Sequence, residues 1–348
     1  MATLTEVAFY TRRSLKWGSF LILFLIVFRW VWNGFITYWL AKHPPPPPPP
    51  TVAFGKLPSL EFPDQNRSDL TLKLETVTGA TPDLGDRAHV FFMPAKRANL
   101  LALERATNQA ARLGFTLPPA KLTDTRYRWT NSTPLPTNLD MDIIYGHFTL
   151  TASWQQDPNL LDAANLPSST QTVIEAQDYL ADAGLLPEDL KTGRTQVSFL
   201  RASANDFIPA PSLSEAEFVQ VDLFRQDLDA GKVYTATPAA GLVRLIFSGN
   251  TNTGKRIIGL TYNYFPVNYD QSATYPLKTS SQAWQELQSG QGYIATPPTT
   301  GTQATVRRVS LGFYDAPTPQ TFLQPIYIFE GDSNFVAYVP ALDSKWVE

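Results

Sequence analysis

Near its start the chain combines an apolar, aromatic stretch with a block of prolines, and this combination limits the fold more than any other feature. Residues 17–41 contain a single charged side chain, and residues 44–50 are seven consecutive prolines. A helix rises about 1.5 Å per residue, so about 25 residues would span roughly 37 Å and cross a bilayer with some tilt. A proline run adopts polyproline II and forms a stiff spacer of roughly 20 Å. The sequence therefore predicts a membrane helix, a spacer and a separate head.

The charges that flank the apolar stretch indicate its orientation. Arg12, Arg13 and Lys16 precede it, whereas only Lys42 and His43 follow closely. Because positive charge concentrates on the cytoplasmic side of a membrane helix, we expect a cytoplasmic N-terminus and an extracytoplasmic head. The predicted location is the cell membrane, with a single pass.

A cleaved signal peptide and a twin-arginine export signal are the alternatives to a retained signal anchor. Residues 18–28 would serve as the apolar region of a signal peptide, but no small-residue cleavage site follows them. Residues 11–16 (TRRSLK) resemble a twin-arginine signal that lacks one position between the arginine pair and the lysine. The absent cleavage site favours the uncleaved anchor.

Arg29 lies near the middle of the predicted membrane helix. An ionisable side chain at that depth needs a partner or a path to water, so Arg29 is a candidate contact to a polar or acidic residue in another protein's membrane helix. Alternatively, its side chain extends toward the interface, where aromatic residues form a belt. That belt would comprise Trp30, Trp32, Tyr38 and Trp39.

The composition of the remaining residues excludes several classes of chemistry. The chain has no cysteine, so the head has no disulfides, thiolate nucleophiles or cysteine-ligated metals. A net charge of −3 argues against a nucleic-acid partner, which needs a concentrated basic surface. We predict no cofactor.

Apolar periodicity predicts an α+β fold with one N-terminal transmembrane helix, then two or more α+β modules with antiparallel sheets. Helices are predicted at residues 98–113, 170–183 and 280–289. Thr172 with Glu175, and Thr279 with Gln282, have the spacing of capping boxes. The predicted boundaries are residues 1–16 (cytoplasmic N-terminus), 17–41 (transmembrane helix), 42–68 (proline-rich spacer and extended lead-in), 69–160 (first α+β module) and 161–348 (second α+β region).

The C-terminal part of the sequence has a pattern of aromatic, glycine and proline residues. The segments concerned are 275–279 (YPLKT), 283–284 (AW), 309–314 (VSLGFY), 323–331 (LQPIYIFEG) and 335–341 (FVAYVPA). Over about 70 residues this pattern resembles the C-terminal module of the YycH and YycI regulatory proteins, which are related in style to PepSY domains. The resemblance implies control of a membrane partner, such as a sensor kinase, through contacts in the bilayer and contacts of the head. It implies no catalytic residue.

Groupings that would indicate catalysis or metal binding are scarce. The three histidines form no H-E-x-x-H pair, and no G-x-S-x-G segment occurs. Asp140 and Asp142 would share one face of a strand and could act as paired carboxylates, but we favour the interpretation that they lie on an exposed strand face. Asp227 and Asp229 resemble the start of a calcium loop without its later ligands, which favours a polar turn. We predict no catalytic, cofactor-binding or metal-ligating residue.

Four tyrosines form the candidate binding surface of the head: Tyr262, Tyr264, Tyr269 and Tyr275. Tyrosines near loops supply amphipathic contact area suited to peptides or glycans. The alternative is that they pack against the next module.

These features predict a single-pass, membrane-anchored extracytoplasmic interaction or regulatory protein that is not an enzyme and acts on a membrane partner. A structural component of an envelope assembly, such as a division, secretion or pilus machine, is the main alternative. An envelope enzyme that acts on wall polymer through Asp140 and Asp142 is a third hypothesis.

Overall fold

A computed structural model describes residues 4–43, 48–64, 70–161, 165–204, 206–229, 231–299 and 301–348. The chain forms two compact units, Met1–Pro49 and Pro50–Glu348. We call the second unit the head. Most of the predicted proline spacer and residues 65–68 of the predicted lead-in lie outside the described residues.

The first unit contains one long helix, α1 (Leu4–Lys42). Within its segment Arg12–Lys42, a window of 18 residues has a mean hydropathy of 1.9, and none of that window is buried. Large apolar side chains are exposed on all sides, as shown by Trp17 and Trp30, which are 68% and 82% exposed. The helix is therefore long and apolar enough for a membrane anchor or a signal sequence, as predicted for residues 17–41.

The described residues of the head form five helices and seventeen strands. The helices are α2 (Ala102–Arg112), α3 (Ser169–Asp182), α4 (Glu188–Lys191), α5 (Thr253–Arg256) and α6 (Ser280–Gln288). The strands are β1 (Thr71–Leu74), β2 (Arg87–Phe92), β3 (Ala120–Lys121), β4 (Arg126–Asn131), β5 (Thr137–Asp142), β6 (Phe148–Ala152), β7 (Thr195–Ser203), β8 (Asp206–Pro209), β9 (Phe218–Leu223), β10 (Val233–Thr235), β11 (Val243–Ser248), β12 (Ile257–Tyr262), β13 (Asn268–Pro276), β14 (Tyr293–Thr296), β15 (Gln303–Asp315), β16 (Phe322–Gly331) and β17 (Val336–Pro340).

These strands build two sheets. The nine-stranded sheet has the order β3-β4-β5-β6-β12-β11-β9-β7-β8 and is antiparallel throughout. The eight-stranded sheet has the order β1-β15-β16-β17-β14, to which β2, β10 and β13 are attached. In that sheet β1 and β10 pair with β15 in parallel, so it is mixed. The predicted α+β class is confirmed, with one of the two sheets mixed. Both sheets contain strands from each side of residue 160.

Apolar residues at helical spacing pack α2 and α3 against the nine-stranded sheet. Ala106 and Ala110 of α2, and Ala176 and Leu180 of α3, are at most 5% exposed and share one core with Trp129 of β4. A four-residue spacing places each pair on one helix face, so both helices cover the same layer of the sheet.

The capping prediction is confirmed for α6 and wrong for α3. Thr279 Oγ1 accepts from the backbone N of Gln282 at 3.2 Å, and Gln282 Oε1 accepts from the backbone N of Thr279 at 2.8 Å. In α3 the N-cap is Ser168, which accepts from the backbone N of Gln171. Thr172 therefore lies inside the helix, where it is buried.

The beginning of the head is held by its C-terminal residues. Leu57 donates from its backbone N to the carbonyl oxygen of Trp346 at 2.9 Å, and Glu348 donates from its backbone N to the carbonyl oxygen of Leu57 at 2.9 Å. Leu57 itself has no exposed surface. The segment before β1 is thus part of the core around β16 and β17.

Candidate functional site

A cleft of about 670 Å³ opens between α2, the turn after α3, the β5–β6 turn and the end of β12. This volume lies within the range of small-molecule sites. Its apolar wall includes Met141, Ile143, Ile144, Leu185, Leu186 and Pro187. Its polar lining is Lys96, Arg105, Gln109, Tyr262 and Tyr264.

Two cations, Lys96 and Arg105, line this cleft. Lys96 Nζ donates to the carbonyl oxygen of Tyr145 at 2.8 Å, and Arg105 Nη2 donates to Asn99 Oδ1 at 3.0 Å. Partial burial and the nearby charge of Arg105 both lower the pKa of Lys96. Neither cation forms an ion pair with a described residue. The cleft therefore presents positive charge that the described carboxylates do not neutralise.

The structure divides the four predicted tyrosines between two environments. Tyr262 is 7% exposed in the cleft wall, and its ring stacks on Phe148 with centroids 5.3 Å apart. Tyr264 also lines the cleft, and burial raises its pKa to about 12. Tyr269 and Tyr275 do not line the cleft; both belong to β13, which pairs with β2 of the eight-stranded sheet.

Tyr275 belongs to the core of the second sheet. It has no exposed surface, its Oη donates to the carbonyl oxygen of Gly55 at 2.9 Å, and it accepts from the backbone N of Phe54 at 3.0 Å. The four tyrosines therefore do not form one surface, and only Tyr262 and Tyr264 line the cleft. Packing, which was the alternative, accounts for Tyr275.

Behind Tyr264 lies a buried ionic cluster that we define as Asp189, Arg225 and Asp315. Tyr264 Oη donates to both carboxylate oxygens of Asp189, at 3.0 and 3.1 Å, and Tyr269 Oη donates to Oδ2 at 2.8 Å. Arg225 Nη1 donates to the same Oδ2. Asp189 belongs to α4, so this helix is held against the residues that follow β12.

The other guanidinium nitrogens of Arg225 donate to the eight-stranded sheet and to the loop after β12. Nε donates to Asp315 Oδ2 at 2.9 Å, and Nη2 donates to the carbonyl oxygen of Phe265 at 2.7 Å. Burial alone would lower the pKa of Arg225, but Asp315, Tyr269 and Asp189 outweigh it and raise the pKa well above its usual value. Burial raises the pKa of Asp315, against the opposing effect of Arg225. All of the charges in this cluster are buried, so its role is structural: Arg225 links Asp189 of α4 to Asp315 of β15.

The two candidate carboxylates, Asp140 and Asp142, both have structural partners. Arg128 on the facing strand donates from Nε and Nη2 to the two oxygens of Asp140, each at 2.6 Å. Asp142 Oδ1 accepts from the backbone N of Ile144 and of Tyr145, each at 2.9 Å, and so closes the β5–β6 turn. The wall-enzyme hypothesis stays a prediction.

The predicted polar turn at residues 227–229 contains one side-chain contact to a histidine. Asp229 Oδ2 lies 3.2 Å from His89 Nδ1. Within the described ranges, no group of three or more His, Asp or Glu side chains is arranged to hold a metal ion.

His147 is one of the three histidines, to which the sequence pattern assigns no role. Its ring lies edge-on to Phe265 with centroids 4.0 Å apart, and its buried Nε2 has no hydrogen-bond partner among the described residues. Burial lowers the pKa of His147 to about 4. The ring is therefore neutral at ordinary pH and acts as part of the packing beside the cleft.

Arg29 is exposed on α1, and it forms no ion pair within the part of the chain that the structure describes. Its predicted contact with another membrane helix stays a prediction.

Comparisons with known proteins identify no family. No protein-family model matches the chain, and neither does any curated protein. A crystal structure of an uncharacterized protein from Eubacterium rectale is similar over 73% of this chain and 82% of that chain, with 9% identity and a TM-score of 0.34. A similarity at that level supports no conclusion about function.

Proposed function

We propose that the protein is a single-pass membrane protein whose extracytoplasmic, non-catalytic head binds and regulates a membrane partner such as a sensor kinase. The observation that carries this proposal is α1, whose segment Arg12–Lys42 contains an apolar, unburied span in a chain that also forms a compact head. A helix that is apolar all round requires a membrane or a protein around it.

The charges around the apolar stretch support a retained anchor with a cytoplasmic N-terminus. Arg12, Arg13 and Lys16 lie before it, and no small-residue cleavage site follows it. The head would then be held at the outer face of the membrane.

Arg29 and two exposed leucines support a partner. A charge near the middle of a membrane helix costs about 3 kcal/mol or more unless it is paired, so a polar group in a second helix would stabilise it. Leu100 and Leu101 are 102% and 60% exposed just before α2. Exposed neighbouring leucines are typical of protein contact surfaces. The YycI-like pattern of residues 275–341 agrees with this role.

A component of an envelope assembly is the second candidate. The nine-stranded sheet ends in β3 and β8, and each of them pairs on one side only among the strands that the structure describes. Such edge strands present unpaired backbone groups that a second copy or another subunit can extend.

The test is cross-linking in native membranes followed by purification of the full chain. We expect a partner in fixed stoichiometry. Its recovery should fall in Arg29→Leu, because this variant lacks the charge in the membrane helix that a polar group of the partner would stabilise. Phe28→Leu is the matched control, since it changes a neighbouring side chain and retains the charge.

A protein recovered from membranes as a solitary monomer would contradict the proposal, as would a mature product that lacks the anchor and is freely dissolved. Recovery only within a large assembly of many copies would support the second candidate instead.

A further inference from the structure

We propose that the cleft beside α2 is a binding site for a small organic anion, with one carboxylate or phosphate headgroup and an apolar body. This inference concerns the head alone and does not depend on the anchor or on a membrane partner.

The headgroup would be bound by Lys96 and Arg105. Each side chain donates one observed hydrogen bond to a neutral oxygen, Tyr145 O or Asn99 Oδ1, and retains further donors. The two cations are close enough for Arg105 to affect the ionisation of Lys96. Two like charges beside each other repel, and an anion placed between them converts this repulsion into charge-assisted hydrogen bonds.

A hydrogen bond to the carbonyl oxygen of Tyr145 holds Lys96 against the β5–β6 turn at the edge of the cleft. Gly146 has a φ of +78°, which favours glycine, and a Cβ built there would lie 3.4 Å from Lys96 Nζ. The ammonium group of Lys96 therefore lies next to the Gly146 backbone, and both residues line the cleft.

The apolar body would lie against the inner wall. Met141, Ile143 and Leu186 supply aliphatic surface there, and Tyr262 and Tyr264 supply aromatic surface. A mostly apolar wall with a few convergent polar groups is the usual composition of a small-molecule site.

Two other clefts of the head are also lined by a cation, but in each of them that cation is paired with a carboxylate. Arg256 lines a cleft of about 450 Å³, but its Nε and Nη2 each donate to Glu175 at 3.0 Å. Lys278 lines a cleft of about 420 Å³ and pairs with Glu286 at 2.6 Å. In both cases a carboxylate of the chain already neutralises the cation, whereas Lys96 and Arg105 have no such partner among the described residues.

The test uses the full chain in phosphatidylcholine nanodiscs, with empty nanodiscs as the blank. The probes are 4-phenylbutyrate for the carboxylate, phenyl phosphate for the phosphate, and the uncharged 4-phenylbutanamide as the control ligand. Saturation-transfer NMR detects contact, and titration gives each Kd. We expect at least one anion to bind about tenfold more tightly than the amide, and the preferred anion identifies the headgroup.

The variant Lys96→Gln/Arg105→Gln should weaken binding of that anion by about tenfold or more, because it removes both charge-assisted contacts. The matched control is Lys56→Gln, which removes an exposed positive charge that does not line the cleft. Unfolding midpoints show whether each variant is folded. Equal binding of the amide, unchanged binding by the double variant, or no binding of either anion would overturn the proposal.

Discussion

Arg225 and Asp315 form an ion pair in which both side chains are fully buried, although the two residues are 90 positions apart. Arg225 follows β9 of the nine-stranded sheet, and Asp315 ends β15 of the eight-stranded sheet. The same guanidinium also pairs with Asp189. One cation therefore allows two carboxylates to remain inside the head where the sheets meet.

Replacing Arg225 should destabilise the head strongly. Arg225→Met leaves two buried carboxylates without their cation, and we expect the free energy of unfolding to fall by about 3–5 kcal/mol. Urea unfolding followed by aromatic fluorescence measures it. Arg225→Met/Asp315→Asn should recover part of the loss, because one buried charge is also removed. The exposed replacement Arg126→Met is the control, and equal stability of Arg225→Met and this control would contradict the prediction.

His147 should make the stability of the head depend on pH. Burial lowers its folded-state pKa to about 4, compared with 6.5 for an unperturbed imidazole. Between these values the unfolded chain binds a proton that the folded chain does not. The stabilisation is therefore complete above about pH 6.5 and is lost as the pH falls toward 4.

In His147→Gln this dependence should be weaker, with the fall in unfolding free energy between pH 6.5 and 4 smaller by about 2 kcal/mol. Urea titrations across that range measure the difference. An NMR titration that places the midpoint of the His147 ring near 6.5 in the folded protein would refute the assignment.

The capping box of α6 should contribute measurably to stability. Thr279→Ala removes the acceptor for the backbone N of Gln282, and we expect a loss of about 1 kcal/mol. Ser281→Ala is a matched control in the first turn of the same helix, where the serine is exposed. Because alanine has the higher helix propensity, this control should be neutral or slightly stabilising. A loss of similar size in both variants would argue against the cap.

A side chain at Gly193 should lower the free energy of unfolding of the head. A Cβ placed there would lie 1.9 Å from the carbonyl oxygen of Phe224 and 2.8 Å from that of Asp189, so the backbone beside the ionic cluster must shift. We expect Gly193→Ala to cost about 1–3 kcal/mol.

Gly79→Ala is the comparison, because it adds a Cβ in open space at a φ of +71° and costs only backbone strain of about 1 kcal/mol. Thermal unfolding ranks the two variants. If Gly193→Ala unfolds no earlier than Gly79→Ala, the close approach at Gly193 is not rigid.

Elements with local signals were predictable from the sequence. The periodicity of residues 98–113, 170–183 and 280–289 matches α2, α3 and α6 within a few residues. Residues 249–254, which are rich in Gly, Asn and Thr, carry a local turn signal, and they join β11 and β12, with the short helix α5 at their end. The wrong capping pair of α3 shows the limit of such signals, because Ser168 with Gln171 competes with Thr172 and Glu175 at the same spacing.

Features that depend on distant residues were not predictable. The parallel pairing of β1 with β15 joins Thr71 to Gln303. Likewise, Asp189 and Asp315 lie 36 and 90 positions from Arg225, so no window of sequence contains the cluster. For the cleft, Tyr262 and Tyr264 were predicted from aromatic density. The other lining residues come from separate segments that only the fold brings together.

The hydrogen bonds between Leu57 and residues 346–348 impose an order on biosynthesis. Leu57 leaves the ribosome long before its strand-like partners exist, so it must wait in an unpaired state while nearly the whole head is translated. If α1 enters the bilayer first, this waiting takes place at the membrane surface. Formation of this contact is then a late step, and a premature stop codon near residue 345 would remove it while leaving the bonds of Phe54 and Gly55 to Tyr275 in place.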